Sequence, residues 1–436
     1  MFLITFHTGC MDMIKDVIKP VRGIPLKWTL VIAVLIVSAS LIIAQVSIAS
    51  GHPNSTHLTP TLTIYTYDSL INWGLNATEA NNRVFDAFEA QEDCIIELEY
   101  FDDANSVLAK AVAEKNSPKA DIIIGIDNVL IYEALAQEIL IPYEASTLSD
   151  LSESVINGLD PDHYVTPYDY GLIAIIYHKH LVNSSNVPTI DTLKLNDLLD
   201  PKVAQMLVTE DPTLSSTGLG FLMWTIGVYE KVLNKDWELW WNDTRNDIQV
   251  EDSWGDAFDV FYTPAANRPM VVSYGTDPAY DYLFYGEPYN TTYIGATVSH
   301  ENDSNYGWLQ IEGLGILKGT KNLGLAQKFI DWFTGVTVQE IIPENNWMYP
   351  ANELAKLPES YKYAIDPTTV TPLNDLFTPD EMEKSLDKWL DTWGQVMILG
   401  YTIAEPTLFP PSLFILIPMI LVVIRRKTRR KSSLSD

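Results

Sequence analysis

Cysteine and basic residues are scarce in this chain of 436 residues, which has two cysteines and 28 Lys and Arg against 57 Asp and Glu. Two cysteines, Cys10 and Cys94, exclude a disulfide scaffold and a cysteine-based zinc site. A formal net charge of −29 excludes a nucleic-acid-binding protein held by a general basic surface. Aromatic residues at 11%, with charged residues at only 19%, exclude a disordered chain.

Catalytic motifs are also missing. The sequence has no GxSxG, no HExxH, no Walker A loop and no glycine-rich dinucleotide fingerprint after a strand. Carboxylates are too numerous for one pair to indicate a glycosidase. His178 and His180 could share a metal on one face of a predicted strand, but a third ligand is missing. We therefore predict no catalytic residue, no resident metal and no cofactor.

Both ends of the chain are basic and contain long apolar runs, whereas the middle is strongly acidic. In residues 1–50, the run from Trp28 to Ile48 predicts a signal peptide or signal anchor. A second run, 408–424, predicts a C-terminal transmembrane anchor, followed by a basic cytoplasmic tail over 425–436. On this interpretation the chain is anchored in the cell membrane with its acidic middle in the periplasm or outside the cell. Six Asn-x-Ser/Thr sequons fit an exported chain.

Strand and helix patterns alternate along the acidic middle. Apolar or alternating runs predict strands at 58–67, 94–101, 120–126, 164–168, 173–178, 203–208 and 270–274. Helical spacing predicts helices at 77–91, 105–115, 128–138, 219–228 and 323–334. This alternation is typical of an α/β sheet, in which ligands bind at the carboxyl ends of strands.

Aromatic residues stand beside polar ones at the ends of these strands and in the following loops. The clusters are residues 65–69 with Trp73, 167–171, 253–254, 274–280 and 345–350. Aromatic faces near carboxylates suit a flat cationic ligand, because the ring quadrupole attracts positive charge and stacking adds contact area. Any single Tyr or Trp is more often a packing residue, so the prediction depends on the cluster as a whole.

Seven segments carry a resemblance to a known family. They are TIYTYDSLINWG (63–74), ADIIIGIDN (120–128), TPYDYGLIAIIYHK (166–179), EDPTLSSTGLGFLMW (210–224), VVSYGTDPAY (271–280), ENNWMYP (344–350) and LFTPDEMEKSLDKWLDTW (376–393). In this order they resemble the thiamine-binding periplasmic proteins of ABC importers. The resemblance implies a type II periplasmic-binding-protein fold with two α/β lobes, lobe one at 57–170 and 275–398 and lobe two at 171–274. The ligand would lie in the cleft between the lobes, which would close on it.

The resemblance also implies ligand contacts at thirteen positions. They are Tyr67, Asp68, Asp103, Ala104, Ser215, Ser216, Trp254, Tyr274, Gly275, Thr276, Asp277, Tyr280 and Trp347. Ala104 replaces a family glycine, and Gly275 and Asp277 replace small hydroxyl residues. Ser215 and Ser216 match a Ser-Thr pair at a helix start, where hydroxyls and amides could hold the alcohol or phosphate end of the ligand. A carboxylate at Asp277 would repel a phosphate.

The predicted function is capture of thiamine, or of its phosphates, and delivery to an ABC permease, without catalysis. Three alternatives stay open at the level of the sequence. The same fold could hold another cation, such as a polyamine or ferric iron. A sensor ectodomain would need a cytoplasmic domain, and only about a dozen residues follow Ile424. An enzyme acting on a thiamine-like ligand would need a nucleophile, for which Cys94 in an apolar strand is poorly suited.

Overall fold

Residues 59–286 and 290–403 are described by a computed structural model, in which strands and helices alternate along the chain. The strands are β1 Thr61–Tyr67, β2 Ile95–Phe101, β3 Ile122–Asp127, β4 Leu140–Ile141, β5 Val165–His178, β6 Leu207–Glu210, β7 Gln249–Glu251, β8 Met270–Tyr274, β9 Ile294–Thr297, β10 Ser299–Glu301, β11 Ser304–Gly307, β12 Leu309–Leu317, β13 Tyr349–Pro350 and β14 Thr371–Pro372. The α-helices are α1 Ala77–Asn81, α2 Ala87–Glu92, α3 Ala104–Ala113, α4 Leu130–Ala136, α5 Glu153–Leu159, α6 Pro201–Ala204, α7 Ser216–Ile226, α8 Trp237–Thr244, α9 Trp254–Tyr262, α10 Asp277–Tyr285, α11 Leu323–Phe333, α12 Val336–Gln339, α13 Ile342–Asn345 and α14 Pro379–Met397. Short 3-10 and π-helical turns connect several of them.

The long strand β5 joins two halves of a mixed sheet, whose strand order is β2-β1-β3-β12-β5-β8-β6-β7. β1 runs parallel to β2 and β3, whereas β12 runs antiparallel to β3 and β5. Up to Leu172, β5 pairs with β12, and from Ile173 onward it pairs with β8. The strand therefore passes from one lobe of the two-lobed α/β fold into the other. The predicted boundary at residues 170 and 171 falls inside β5, and the predicted lobe ranges stay predictions.

The central strands are buried because helices cover the sheet. Every residue of β3 is buried, as expected for a central strand of a sheet that is covered on both faces. Helix α3 packs on β1 and β3, and helix α7 packs on β5, β6 and β8. All eleven residues of α7 are buried. Both helices begin beside the carboxyl ends of strands, so their N-termini lie at one edge of the sheet.

Three of the predicted strands differ in detail from the observed ones. The two strands predicted at 164–168 and 173–178 form one strand, β5, because pairing with β12 continues through Tyr170 and Gly171. The strand predicted at 203–208 begins only at Leu207, because Asp200 caps a short helix that starts at Pro201. The sequence patterns also missed β12, although this strand is the partner of both β3 and β5.

The predicted fold class is wrong in one part, the two transmembrane segments. None of the helices within residues 59–286 and 290–403 is both long enough and apolar enough to cross a bilayer. The fold that the structure supports is therefore the two-lobed α/β domain alone. The apolar runs behind that prediction, in residues 1–50 and 408–424, and the basic tail 425–436 lie outside the described residues.

Gly218 allows the start of α7 to lie directly against the end of β6. A Cβ atom at this position would lie 2.6 Å from the carbonyl oxygen of Glu210, which is a backbone atom and cannot rotate away. The glycine in the SSTGLG segment is therefore explained by close packing between helix and strand. This packing fixes where the first amides of α7 point.

We expect Gly218→Ala to lower the free energy of unfolding by about 1–3 kcal/mol, because the added methyl group overpacks this contact. The matched control is Gly394→Ala in α14, where an added Cβ would meet nothing within 4 Å. That change should raise the free energy of unfolding by up to about 1 kcal/mol, since alanine favours the helix. Urea denaturation of the full-length chain measures both. Equal effects at the two positions would contradict the packing argument.

Candidate functional site

A cavity of about 310 Å3 lies at the carboxyl ends of β1, β2, β6 and β8. It is lined by Tyr67, Asp68, Ser69, Trp73, Asp102, Asp103, Ala104, Ser216, Thr217, Ser253, Trp254, Gly255, Phe258, Tyr274, Asp277, Tyr280, Glu312, Asn346, Trp347 and Met348. These residues come from both halves of the sheet. The position is the one at which open α/β sheets bind their ligands, and the volume fits a small organic molecule.

The structure places ten of the thirteen predicted contact residues on this cavity. They are Tyr67, Asp68, Asp103, Ala104, Ser216, Trp254, Tyr274, Asp277, Tyr280 and Trp347. Ser215, Gly275 and Thr276 do not line it and are buried behind its wall. The Thr276 hydroxyl donates to the carbonyl oxygen of Trp347 at 2.5 Å, and the Gly275 amide donates to the carbonyl oxygen of Leu172 at 2.8 Å. Thr276 and Gly275 therefore stabilise the wall of the cavity from behind.

One wall of the cavity is built from interlocked aromatic rings. Trp73 meets Trp254 edge-on at 5.0 Å between ring centroids, and Trp254 stacks on Phe258 at 4.9 Å. Tyr280 meets Trp347 edge-on at 5.2 Å. The Trp347 indole N–H donates to the carbonyl oxygen of Trp73 at 3.0 Å, which fixes that ring. These are the geometries that aromatic pairs prefer, so the wall is held in place before any ligand arrives.

Glu312 of β12 forms the floor of the cavity. Its Oε2 atom accepts hydrogen bonds from the hydroxyls of Tyr67 at 2.8 Å and Tyr168 at 2.6 Å. Its Oε1 atom accepts a hydrogen bond from the Gln310 side chain at 2.8 Å. Burial raises the pKa of Glu312, and these three donors oppose the shift. Glu312 thus joins β1, β5 and β12 through one carboxyl group.

Asp169 lies opposite Glu312 in the pairing of β5 with β12 and is fully buried. Its Oδ2 atom accepts a hydrogen bond from the Asn346 side chain at 2.5 Å. Its Oδ1 atom has no hydrogen-bond partner within the described part of the chain. Burial and the neighbouring Glu312 raise the pKa of Asp169. Two carboxyl groups therefore lie side by side where β5 passes between the lobes.

The remaining charged groups of the lining are also acidic. Burial raises the pKa of Asp103 to about 7 and that of Asp277 to about 7. Asp68 and Asp102 stand at the exposed rim. The lining, as described, contains five carboxyl groups and no Lys, Arg or His. The electrostatic potential of this lining attracts a cation and repels an anion.

The two neighbouring histidines lie outside this lining. The His178 ring stacks on Phe261 at 4.0 Å, and its Nε2 atom lies 3.2 Å from the Phe261 carbonyl oxygen. His180 is 5.5 Å away between ring centroids. No group of three His, Cys, Asp or Glu side chains is arranged to hold a metal ion within 59–286 and 290–403.

Ten lining residues are not among the thirteen predicted contacts, although Ser69, Trp73, Ser253, Asn346 and Met348 fall in the predicted aromatic and polar clusters. They are Ser69, Trp73, Asp102, Thr217, Ser253, Gly255, Phe258, Glu312, Asn346 and Met348. Most of them are close in sequence to a predicted residue. Phe258 follows Trp254 by one helical turn, and this i, i+4 spacing is a signal that would have found it. Glu312 has no such local signal, because it lies in a strand that was not predicted.

The fold and the cleft define a substrate-binding protein with two lobes. The chain belongs to the family of bacterial extracellular solute-binding proteins, whose sequence profile matches residues 59–340. It is 31% identical to the thiamine-binding periplasmic protein of Brucella suis, over 76% of this chain and 91% of that one. It is 30% identical to the thiamine-binding periplasmic protein of Escherichia coli, over 78% of this chain and 94% of that one. These similarities confirm the resemblance inferred from the seven segments.

Solved structures show the same fold. A periplasmic thiamin-binding protein superposes with a TM-score of 0.65 at 26% identity, covering 79% of this chain and 98% of that one. A ferric binding protein from Campylobacter jejuni superposes with a TM-score of 0.59 at 18% identity, covering 77% of this chain and 99% of that one. At that identity the second match shows the fold alone.

The raised pKa values of Asp103 and Asp277 predict that the unliganded protein becomes more stable as the pH falls from about 8 to about 5.5. In the unfolded chain both groups ionise near 3.8, whereas in the folded protein their pKa is about 7. Between these values the folded state binds more protons, so acidification favours it. The melting temperature of the unliganded chain measures this dependence.

Asp277→Asn should raise the melting temperature at pH 8 and flatten the pH dependence, because the amide carries no charge to desolvate. Asp102→Asn is the matched control, since Asp102 is exposed at the rim. A pH dependence of Asp277→Asn that is identical to that of the unchanged protein would contradict the assignment.

Proposed function

We propose that this protein captures thiamine outside the cytoplasm and delivers it to the permease of an ABC importer. The observation that carries the proposal is an aromatic cavity lined by five carboxyl groups and, among the described residues, no basic side chain. Two relatives support it, since the Brucella suis and Escherichia coli proteins are both named for thiamine binding. The protein acts as a binder, as its relatives do.

The chemistry of thiamine matches both the aromatic wall and the acidic lining of the cavity. Its thiazolium ring carries a permanent positive charge, which a Trp or Tyr face attracts by about 0.5–2 kcal/mol depending on desolvation. Its aminopyrimidine ring is flat and carries an amino donor. Asp277 lines the cavity, and its Oδ2 atom is buried without a hydrogen-bond partner in the described structure. Such an atom is a ready acceptor for a donor on the ligand.

The ferric-iron alternative is not favoured by the tyrosines of the floor. The hydroxyls of Tyr67 and Tyr168 donate to Glu312, and burial raises the pKa of both phenols well above 10. A phenol that is held protonated is a poor ligand for a metal ion, because coordination requires the deprotonated form. A polyamine is a flexible chain without a ring, so it would leave the stacking surface of the aromatic wall unused.

We expect Trp254→Ala to weaken thiamine binding by about 1–3 kcal/mol through lost stacking and cation–π attraction. Trp254 is half-buried and donates its indole N–H to Ser273 at 2.9 Å. The matched control is Trp332→Ala, since Trp332 is also half-buried and donates to Val84 at 2.8 Å, but lies outside the lining. Calorimetric titration of the full-length chain gives both affinities.

Trp332→Ala should lower the melting temperature and leave the thiamine affinity unchanged. Equal losses of affinity in the two variants would contradict the role of Trp254. The unchanged protein could show neither heat nor a change in tryptophan fluorescence with thiamine up to about 1 mM. Its dissociation constant for thiamine would then be above about 1 mM, and the proposed function would be wrong.

Free thiamine should bind at least as tightly as thiamine diphosphate. Repulsion between a carboxylate and a phosphate is about 2–4 kcal/mol at 4–8 Å and an effective dielectric constant near 20. This is comparable to what a few amide and hydroxyl hydrogen bonds to the phosphate would supply. Competition titrations at fixed ionic strength compare the two ligands, and Asp277→Ser should shift the ratio toward the diphosphate. A diphosphate affinity tenfold above that of thiamine would refute the repulsion argument.

A further inference from the structure

Two β-bulges flank Glu312, one in each neighbouring strand. In β5 the extra residue is Tyr168, and in β3 it is Gly125, which has a φ of +105°. A bulge interrupts the alternation of side chains between the two faces of a strand and can redirect a side chain beside a binding site. The bulge in β5 therefore allows consecutive residues to face Glu312: Tyr168 donates to it at 2.6 Å, and Asp169 is its direct partner in the strand pairing.

The two carboxyl groups of this pair differ in the hydrogen bonds that they receive. Glu312 accepts three, from two tyrosine hydroxyls and the Gln310 amide. Asp169 accepts one, from Asn346, and its Oδ1 atom is buried without a partner in the described part of the chain. The three donors stabilise a negative charge on Glu312, whereas an ionised Asp169 would lose its hydration without replacement. When the pair holds one proton, that proton therefore belongs on Asp169.

No positive charge offsets either carboxyl group. Neither forms an ion pair with a Lys, Arg or His within residues 59–286 and 290–403. The titratable groups that face the pair from the surrounding elements are acidic or phenolic, namely Asp103, Asp127, Tyr67, Tyr168, Tyr274 and Tyr361. Burial raises the pKa of both carboxyl groups, and Glu312 adds to the shift of Asp169. Both observations favour a single negative charge on the pair in the unliganded protein.

We propose that Asp169 is a proton-linked positioning residue, which holds a proton in the unliganded protein and releases it to the solvent when a cation binds beside Glu312. The inference rests on the proposed thiamine binding and goes beyond it. Asp169 does not line the cavity, so it acts on the ligand through Glu312 and Asn346, which do. The ionised pair carries two negative charges instead of one, and it therefore holds the cation more tightly. Capture of the ligand is in this way coupled to the release of one proton.

Asp169→Asn tests the proposal, because asparagine is neutral like the protonated acid and keeps an oxygen that can accept from Asn346. Calorimetric titration of the full-length chain with thiamine, in buffers of different ionisation enthalpy, gives both the affinity and the number of protons released. Near neutral pH the unchanged protein should release about one proton more than the variant. The two proteins should bind thiamine equally at about pH 5.5, and the unchanged protein should bind it roughly tenfold more tightly by about pH 8.

Glu312→Gln is a second variant, which also keeps the test valid if Asp169→Asn fails to fold. Without the neighbouring charge, Asp169 ionises more readily in the unliganded protein, so the release should again fall by about one proton. In contrast to Asp169→Asn, this variant should bind thiamine more weakly at every pH, because a carboxylate of the lining is lost.

Asp127→Asn is the matched control. Asp127 is also buried and its pKa is raised to about 7, with a contribution from Glu312. It lies outside the lining, however, and its Oδ1 atom accepts hydrogen bonds from the amides of Val129 and Leu130, each at 2.8 Å. Its proton release should therefore stay within about 0.3 of that of the unchanged protein.

The outcomes separate this inference from the proposed function. Thiamine binding with equal proton release in the unchanged protein and Asp169→Asn would overturn the role of Asp169 and leave the proposed function standing. An equal loss of proton release in Asp127→Asn would also overturn it, since the proton would not be specific to Asp169. If the unchanged protein binds no thiamine at any pH, the proposed function fails and this inference fails with it.

Discussion

The buried carboxyl group of Glu312 is the interaction on which the cleft depends. Removing a carboxylate from water is costly unless hydrogen bonds replace its hydration. Here the replacement comes from two tyrosine hydroxyls and one amide, on strands β1, β5 and β12. No basic side chain of the described lining compensates the charge. The carboxyl group of Glu312 therefore has its hydrogen bonds, but no positive charge lies beside it. A bound cation would supply that positive charge.

The aromatic walls are pre-organised around this floor by backbone geometry. Gly125 has a φ of +105°, and a Cβ there would lie 2.7 Å from the ring of Tyr67, so the glycine leaves room for that ring beside β3. Trp347 adopts a φ of +56°, an unusual conformation for a tryptophan. Two hydrogen bonds hold Trp347 in this conformation: its indole N–H donates to Trp73, and its carbonyl oxygen accepts from Thr276. Such strain persists at binding sites because the surroundings hold it, and rings fixed before binding lose little entropy when the ligand arrives.

Much of this site could be predicted from the sequence, because its polar and aromatic residues follow strands that have strong local patterns. Tyr67 ends an alternating strand, so the pattern placed it at the carboxyl edge of the sheet. Asp103 precedes a clear helix, but only the family resemblance implied that it contacts the ligand. Glu312 could not be found in this way. It lies between apolar and glycine residues in β12, and its role arises from pairing with β5, more than 140 residues earlier in the chain. The single long strand β5 was missed for a similar reason, since Pro167 and Gly171 locally favour a break that pairing with β12 overrides.

Because the described lining contains no basic residue, its carboxyl groups are not neutralised by ion pairs within the cleft. Burial, with smaller contributions from neighbouring carboxyl groups, raises the pKa values of Asp103, Asp277 and Asp169, so part of this acidic group is neutral when the cleft is empty. A cation favours the ionised form of each carboxyl group. We therefore expect the binding of a cation to lower these pKa values and to release protons. The empty cleft avoids the full desolvation cost of several buried carboxylates, and the occupied cleft presents the charge that holds the ligand. The fold can in this way keep a strongly acidic binding site without a basic partner of its own.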